Sequence, residues 1–134
     1  MVKKASVEGV LDGMVIIDLT QMLAGPYCTM MLADHGADVI KIEPPEGDMS
    51  RRLGPYADDK DGQNHSGYFH SINRNKRSVV LDLKSAEGVL IFKRLVEKAD
   101  AVVENFREGV MERLGLSYET LREINPRLVY AAIR

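Results

Sequence analysis

An open α/β sheet, mostly parallel and of about five strands with flanking helices, is the fold that this sequence predicts. Two observations predict it. Short β-branched apolar runs recur along the chain, and most are separated by stretches with helical periodicity. Continuous apolar runs suit strands covered on both faces, as in a parallel sheet. Strand–helix–strand repetition then requires right-handed crossovers, so the layered structure is Rossmann-like.

The elements follow in order. "GMVIIDLT" (13–20) is the first strand, an apolar run that ends on polar groups. "ADVIKIE" (37–43), "SVVLDLK" (78–84), "AVVENF" (101–106) and "LVYAAI" (128–133) have the same character. "GPYCTMMLADHG" (25–36) is the first helix, with Pro26 where an opening turn tolerates it and Gly36 where a helix end favours a left-handed residue. "SAEGVLIFKRLVEKAD" (85–100) has Ser85 as N-cap and an apolar stripe of Val89, Phe92, Val96 and Ala99. Lys93, Arg94, Glu97 and Lys98 take its opposite side. "REGVMERLG" and "SYETLREIN" are two short helices that stop before Pro126.

Residues 44–77 break this rhythm. They carry Pro, Gly, Asp and Arg with one short helical stretch, "SGYFHSIN", and are expected as a long functional loop. Such a loop leaves the carboxyl end of a parallel strand, the edge where α/β folds place ligands. Residues 1–134 are expected to form one domain, since the chain can fill a single core but not two. A sheet that stops directly after its last strand leaves an edge uncovered, so the chain is expected to be the amino-terminal part of a larger subunit.

Composition excludes several function classes. A formal net charge of −2 argues against non-specific nucleic-acid binding. No apolar run approaches the ~18 residues of a membrane span. Cys28 is the single cysteine, so no internal disulfide is possible and a reducing, cytoplasmic setting is expected. Cys28, His35, His65 and His70 lack the spacing of a metal site. With Met30, Met31 and Leu32 beside it, Cys28 is expected in the core.

Three stretches carry chemistry. "LAGPYC" (23–28) is a strand-to-helix turn, plain or open to an anion at the helix amino end, although no G-x-G-x-x-G or Walker A sequence occurs. "NRNKRSVVLDLKS" (73–85) gathers Arg74, Lys76 and Arg77 at the mouth of an apolar strand, as a solvated corner or as a seat for an anion. "ENFREGVMERLG" (104–115) closes a strand on Asn105 and Phe106 and continues with Arg107 and Arg113. An aromatic face and guanidinium groups there suit a nucleotide base and its phosphates, and surface ion pairs along a helix are the other reading. Asp18 and Asp82 are carboxylates whose commoner fate is to accept bonds from nearby loop N–H groups.

These stretches, in this order and spacing, resemble the amino-terminal segment of the class III coenzyme A transferases. "LDGMVIIDLTQMLAGPYCTMMLADHGADVIKIEPPEGDMSR", "NRNKRSVVLDLKS", "VVENFREGVMERLGL" and "INPRLVYAAI" carry the resemblance. It implies a Rossmann-like domain that binds coenzyme A, within a homodimer whose full-length subunits interlock. It also implies CoA transfer between an acyl-CoA and a carboxylic acid, with CoA as substrate and no tightly bound cofactor. In that chemistry an aspartate attacks the donor thioester, giving a mixed anhydride and then an enzyme–CoA thioester. By this resemblance the CoA contacts fall on Ala24, on Leu81, Asp82, Leu83 and Lys84, on Asn105, Phe106 and Arg107, and on Arg113. Arg74, Lys76 and Arg77 would add positive potential near the phosphates. Formyl-CoA members have Gln where Leu23 stands and Arg where Pro44 stands. The nucleophilic aspartate is expected beyond residue 134, so no catalytic residue is named and this chain alone is expected to be inactive. An acyl-CoA racemase of the same superfamily, a non-catalytic nucleotide-binding module and a split-enzyme subunit are the alternatives.

Overall fold

The computed structural model describes residues 9–58 and 64–134. Five parallel strands form the main sheet: β1 (Val15–Asp18), β2 (Asp38–Glu43), β5 (Arg77–Val80), β6 (Ala101–Glu104) and β7 (Val129–Ala132). Their spatial order is β5-β2-β1-β6-β7, with Ile17 level with Ile40 on one side and Val102 on the other. The crossovers carry α1 (Ala24–Asp34), α3 (Ala86–Val96), α4 (Val110–Arg113) and α5 (Tyr118–Ile124). The chain winds outward from β1 to β5, then returns to lay β6 on the other side of β1. That reversal makes the gap between β1 and β6 the topological switch point, where open α/β sheets form a crevice at the strands' carboxyl ends. The expected Rossmann-like sheet is the observed one.

Alternation along the strands gives the sheet two unlike faces. Ile17, Leu19, Ile40, Ile42 and Val102 point to an apolar core shared with Phe92 and Val96 of α3, Met111 of α4 and Leu121 of α5. Ile16, Val39 and Val103 point the other way, against Ala33 of α1. On that second face the next residues of the same parity are Asp18, Lys41 and Glu43, all fully buried. Capping residues set where the helices start. Ser85 accepts from Gly88 N at 3.0 Å, and Ser117 from Thr120 N at 3.3 Å. Gly88 is required by close approach, because a Cβ there would lie 2.0 Å from the Asp82 carbonyl oxygen.

Two expectations fail for identifiable reasons. The runs at 78–84 and 128–133 were expected to be covered on both faces, but β5 and β7 are the two edges of the sheet and Val80 is 59% exposed. An apolar run reports strand character, not rank within the sheet. Cys28 is exposed, not in the core. Helix α1 turns Gly25, Pro26, Thr29, Met30 and Ala33 inward, and the helical period then leaves Tyr27, Cys28 and Met31 outside.

Residues 44–58 and 64–77 are more ordered than a loop. They contain a 3₁₀ turn (Met49–Arg52), the antiparallel strands β3 (Tyr56–Asp58) and β4 (Asn64–Ser66), and α2 (Gly67–Asn73), the helix anticipated in "SGYFHSIN". Glu43, at the end of β2, fastens this excursion to the sheet. Its Oε2 accepts from Asp48 N at 2.9 Å and Arg51 Nε at 2.7 Å. Its Oε1 accepts from Arg51 Nη2 at 2.7 Å and Ser78 Oγ at 2.5 Å. The Arg51 guanidinium also lies 3.7 Å from the ring centre of Phe69 on α2. Periodicity could not reveal this, because the segment is organised by charge and not by an apolar stripe.

Burial by itself would raise the Glu43 carboxyl, but Arg51, Ser78 and the Asp48 N–H outweigh it and hold the group at about 2, below its ordinary 4.5. A depressed carboxyl adds stability above its unfolded value and loses it as the pH falls through the folded one. The parent should therefore lose stability as the pH falls from 4.5 towards 2. In Glu43→Gln that slope should flatten, while stability at pH 7 drops. Urea unfolding across this range measures both, and parallel slopes for parent and variant would contradict the assignment.

Candidate functional site

A cavity of about 200 Å³ opens at the carboxyl ends of β1, β2, β5 and β6. It is the site that the switch point anticipates. Its walls are Leu19 and Gln21 after β1, Ile42 and Pro44 at the end of β2, Leu81 to Lys84 after β5, and Phe106, Val110 and Leu114 after β6. The apolar members continue the α3-side core beyond the strand ends, so the cavity is the core's open margin. Among the described residues of 44–77, a segment expected to border the ligand, Pro44 alone lines the cavity.

The structure brings five of the sequence-derived candidates together. Leu81, Asp82, Leu83, Lys84 and Phe106 all line the cavity. Asp82 shapes its own turn, Oδ1 accepting from Lys84 N at 2.9 Å. Phe106 is held at both ends of its backbone. Its N–H donates to Glu104 Oε2 at 2.7 Å, and its carbonyl accepts from Arg134 Nη1 at 3.0 Å. Glu104 is fully buried, and its Oε1 accepts from Arg134 Nη1 at 2.9 Å and Tyr130 OH at 3.3 Å. Burial, then the Glu104 charge, push the Tyr130 hydroxyl up.

Arg107 and Arg113 lie outside the cavity lining, are exposed, and form no ion pair among the described residues. The Arg113 guanidinium folds back over Gly109, the residue preceding α4 at φ +80°, where an added Cβ would meet Nη1 at 3.0 Å. Lys84 is likewise exposed and unpaired among the described residues. Of these three cations Lys84 lines the cavity, and Arg107 and Arg113 are sequence neighbours of the lining residues Phe106 and Leu114. Ala24 is exposed as the first residue of α1, outside the cavity lining. Asn105 points to the β1–α1 turn, where Oδ1 accepts from Gln21 N and Nδ2 donates to Gln21 O, both at 2.8 Å.

The basic turn is a different matter. Arg74 pairs with Asp34 at 2.5 Å, and Arg77 with Asp38 at 2.5 Å, at the amino end of the sheet. The Lys76 side chain is only 2% exposed, and its Nζ reaches Asp18 Oδ2 at 2.9 Å, Pro26 O at 2.8 Å and Asn73 Oδ1 at 2.8 Å. Burial pushes the Lys76 ammonium down, and Asp18 works against that shift. The expected convergence of "NRNKRS" and "ENFREGVMERLG" on one anion does not occur. Arg74 and Arg77 pair at the amino end of the sheet, Lys76 is buried against Asp18 beneath α1, and each of the three has an internal partner.

Asp18 takes the structural role expected of it. Its Oδ1 accepts from Thr20 N at 2.8 Å and Thr20 Oγ1 at 2.5 Å, and its Oδ2 from Thr29 Oγ1 at 2.7 Å besides Lys76. Lys41 completes this layer, donating to Thr20 O at 2.7 Å and pairing with Asp48 Oδ2 at 2.7 Å. Sequence reasoning missed Gln21, Glu104 and Lys41. The available signal for the last two was a charge placed inside an otherwise apolar strand, as in "VIKIE" and "AVVENF".

Comparison with known proteins bears on this arrangement. The family model for CoA-transferase family III matches residues 11–134. The succinyl-CoA:mesaconate CoA-transferase of Haloarcula hispanica is 56% identical over 126 residues, covering 94% of this chain and 32% of that protein. The acetyl-CoA:oxalate CoA-transferase of Acetobacter aceti is 51% identical over 129 residues, covering 96% and 32%. The chain spans about a third of the length of these curated relatives. A CAIB/BAIF family protein from Brucella suis has the same fold, with a TM-score of 0.88 at 45% identity over 93% of this chain and 33% of its own.

The two kinds of cation in the basic turn should separate on mutation. Lys76→Ala leaves the Asp18 carboxylate buried without its counter-ion and should cost about 3–5 kcal/mol. Arg77→Ala removes an ion pair whose cation is 66% exposed, and should cost at most about 1 kcal/mol. Denaturant unfolding of both variants measures the difference, and equal small losses would show that Lys76 is not a buried counter-ion.

Proposed function

Because the chain belongs to CoA-transferase family III, we propose that it is the CoA-binding part of an enzyme that moves CoA between an acyl-CoA and a carboxylic acid. The observation that carries this reading is the cavity at the switch point, mostly apolar, with Lys84 in its lining and the exposed Arg107 and Arg113 next in sequence to lining residues, none of the three in an ion pair among the described residues. CoA has parts that match each feature. Its adenine is a flat apolar surface for Phe106, and its phosphates are acceptors for the guanidinium and ammonium groups. The segment Leu81 to Lys84 supplies one wall of the cavity, and Ala24 stands exposed at the start of α1, outside that lining. Arg74 and Arg77 lie apart from this set, as a surface corner paired to aspartates. CoA enters here as a substrate, not as a resident cofactor. The family reading also implies a homodimeric, cytoplasmic enzyme.

Neither Asp18 nor Asp82 is placed as the nucleophile. Asp18 is buried under four donors, and Asp82 is engaged by its own turn. Family chemistry requires a free carboxylate to attack the thioester. The chain by itself should bind CoA without exchanging it between acyl donors and carboxylate acceptors. Sustained exchange, followed by chromatography of the acyl-CoA pool, would overturn this division of labour.

Binding can be dissected by calorimetry with CoA and dephospho-CoA. Arg113→Ala should weaken CoA by about tenfold, the low end for a charge-assisted contact because the guanidinium is exposed and screened. The loss should shrink for dephospho-CoA if Arg113 meets the 3′-phosphate, and persist if it meets the pyrophosphate. Phe106→Ala should weaken both ligands alike, at low and at high salt, because packing on a base is little screened. If both variants bind CoA as tightly as the parent at low salt, the cavity is not the coenzyme site.

A further inference from the structure

The turn between β1 and α1 carries Gln21 into the cavity wall, and side chains from three strands hold its backbone. Asp18 takes Thr20 N and Lys41 takes Thr20 O. Asn105 takes both polar groups of the next residue, Gln21 N and Gln21 O, each at 2.8 Å. A primary amide facing a peptide in this way replaces a pair of ladder bonds just where β1 has ended. Immediately afterwards Met22 stands at φ +72°, a left-handed conformation rare for a residue with a Cβ. Such a conformation persists where its surroundings over-determine it. Helix α1 then starts at Ala24 with no side-chain cap.

We propose that Asn105 is a positioning residue that acts on CoA through this turn. Its amide oxygen and nitrogen are both engaged with Gln21, so it shapes the wall that meets the ligand and is not itself the wall. The proposal rests on the CoA reading given above. A released turn spends only part of its time in the competent shape, and the apparent affinity falls by that fraction. Asn105→Ala should therefore weaken CoA by about tenfold.

Asn105→Asp distinguishes a clamp from general loss of structure. At neutral pH the carboxylate still accepts from Gln21 N but cannot donate to Gln21 O, and it sets a negative oxygen against that carbonyl. Protonation restores the donor and with it the shape of the original amide. The affinity of Asn105→Asp, expressed relative to the parent at each pH so that the ligand's own titration cancels, should rise as the pH falls through the carboxyl's titration. The ratio for Asn105→Ala should stay flat. In the ligand-free chain the Gln21 amide resonance should move in Asn105→Ala and return towards the parent position in acidified Asn105→Asp. Parent binding of CoA with unchanged affinity in Asn105→Ala, or a pH-independent loss in Asn105→Asp, overturns the clamp alone. No binding by the parent overturns the coenzyme assignment and this proposal with it, whatever the Gln21 resonance reports.

Discussion

Much of this architecture depends on the burial of charge on one face of the sheet. Asp18, Lys41, Glu43, Asp48 and Lys76 lie almost wholly out of water around the ends of β1 and β2. Removing an ion from water costs several kcal/mol even after relaxation, so each must be neutralised and hydrogen-bonded. That demand organises the neighbourhood. Thr20 and Thr29 turn their hydroxyls to Asp18, α2 ends with Asn73 on Lys76, and the 3₁₀ turn closes over Lys41 through Asp48. A purely apolar layer would pack α1 as well but would leave the β1–α1 turn and the 44–77 excursion without defined positions. The polar layer's contribution is registry more than net stability.

The other face does different work. There the core is apolar and extends past the strand ends, where α3 and α4 leave a margin that no strand fills. The rim of that margin is held from behind. Glu104 and Arg134 grip the peptide of Phe106, and Asn105 grips that of Gln21, so two walls of the cavity are attached to β6 by successive side chains. A cavity set up in this way needs little reordering when a ligand arrives, which is how rigidity becomes affinity. The cations that face solvent there are the unpaired ones, whereas those of the basic turn are already spent within the chain.

Relatives with differently named acids share this segment at high identity, among them proteins named for mesaconate and for oxalate. What these proteins have in common by name is the coenzyme. An apolar cleft with exposed cations near it would suit that shared part of the substrate. Discrimination between acids belongs to groups that contact the acyl moiety, a role for which the lining residues here, mostly Leu, Ile, Val and Phe, offer few polar handles.

Local sequence was sufficient for the strand–helix alternation, the cap at Ser85, the left-handed Gly36 and the strand-end cluster of Asn105 and Phe106. These features depend on periodicity and on backbone preferences that act over a few residues, so they are legible in order along the chain. Only the tertiary structure decided which runs became edges, which face of α1 carried Cys28, and which of three adjacent cations was buried. Lys76 and Arg77 are neighbours in sequence but point to opposite sides of an edge strand. One meets Asp18 from β1 beneath α1, and the other meets Asp38 in solvent. Nothing local distinguishes them, because a lysine's fate there is set by a carboxylate 58 positions away that approaches only when β2 is laid between β1 and β5.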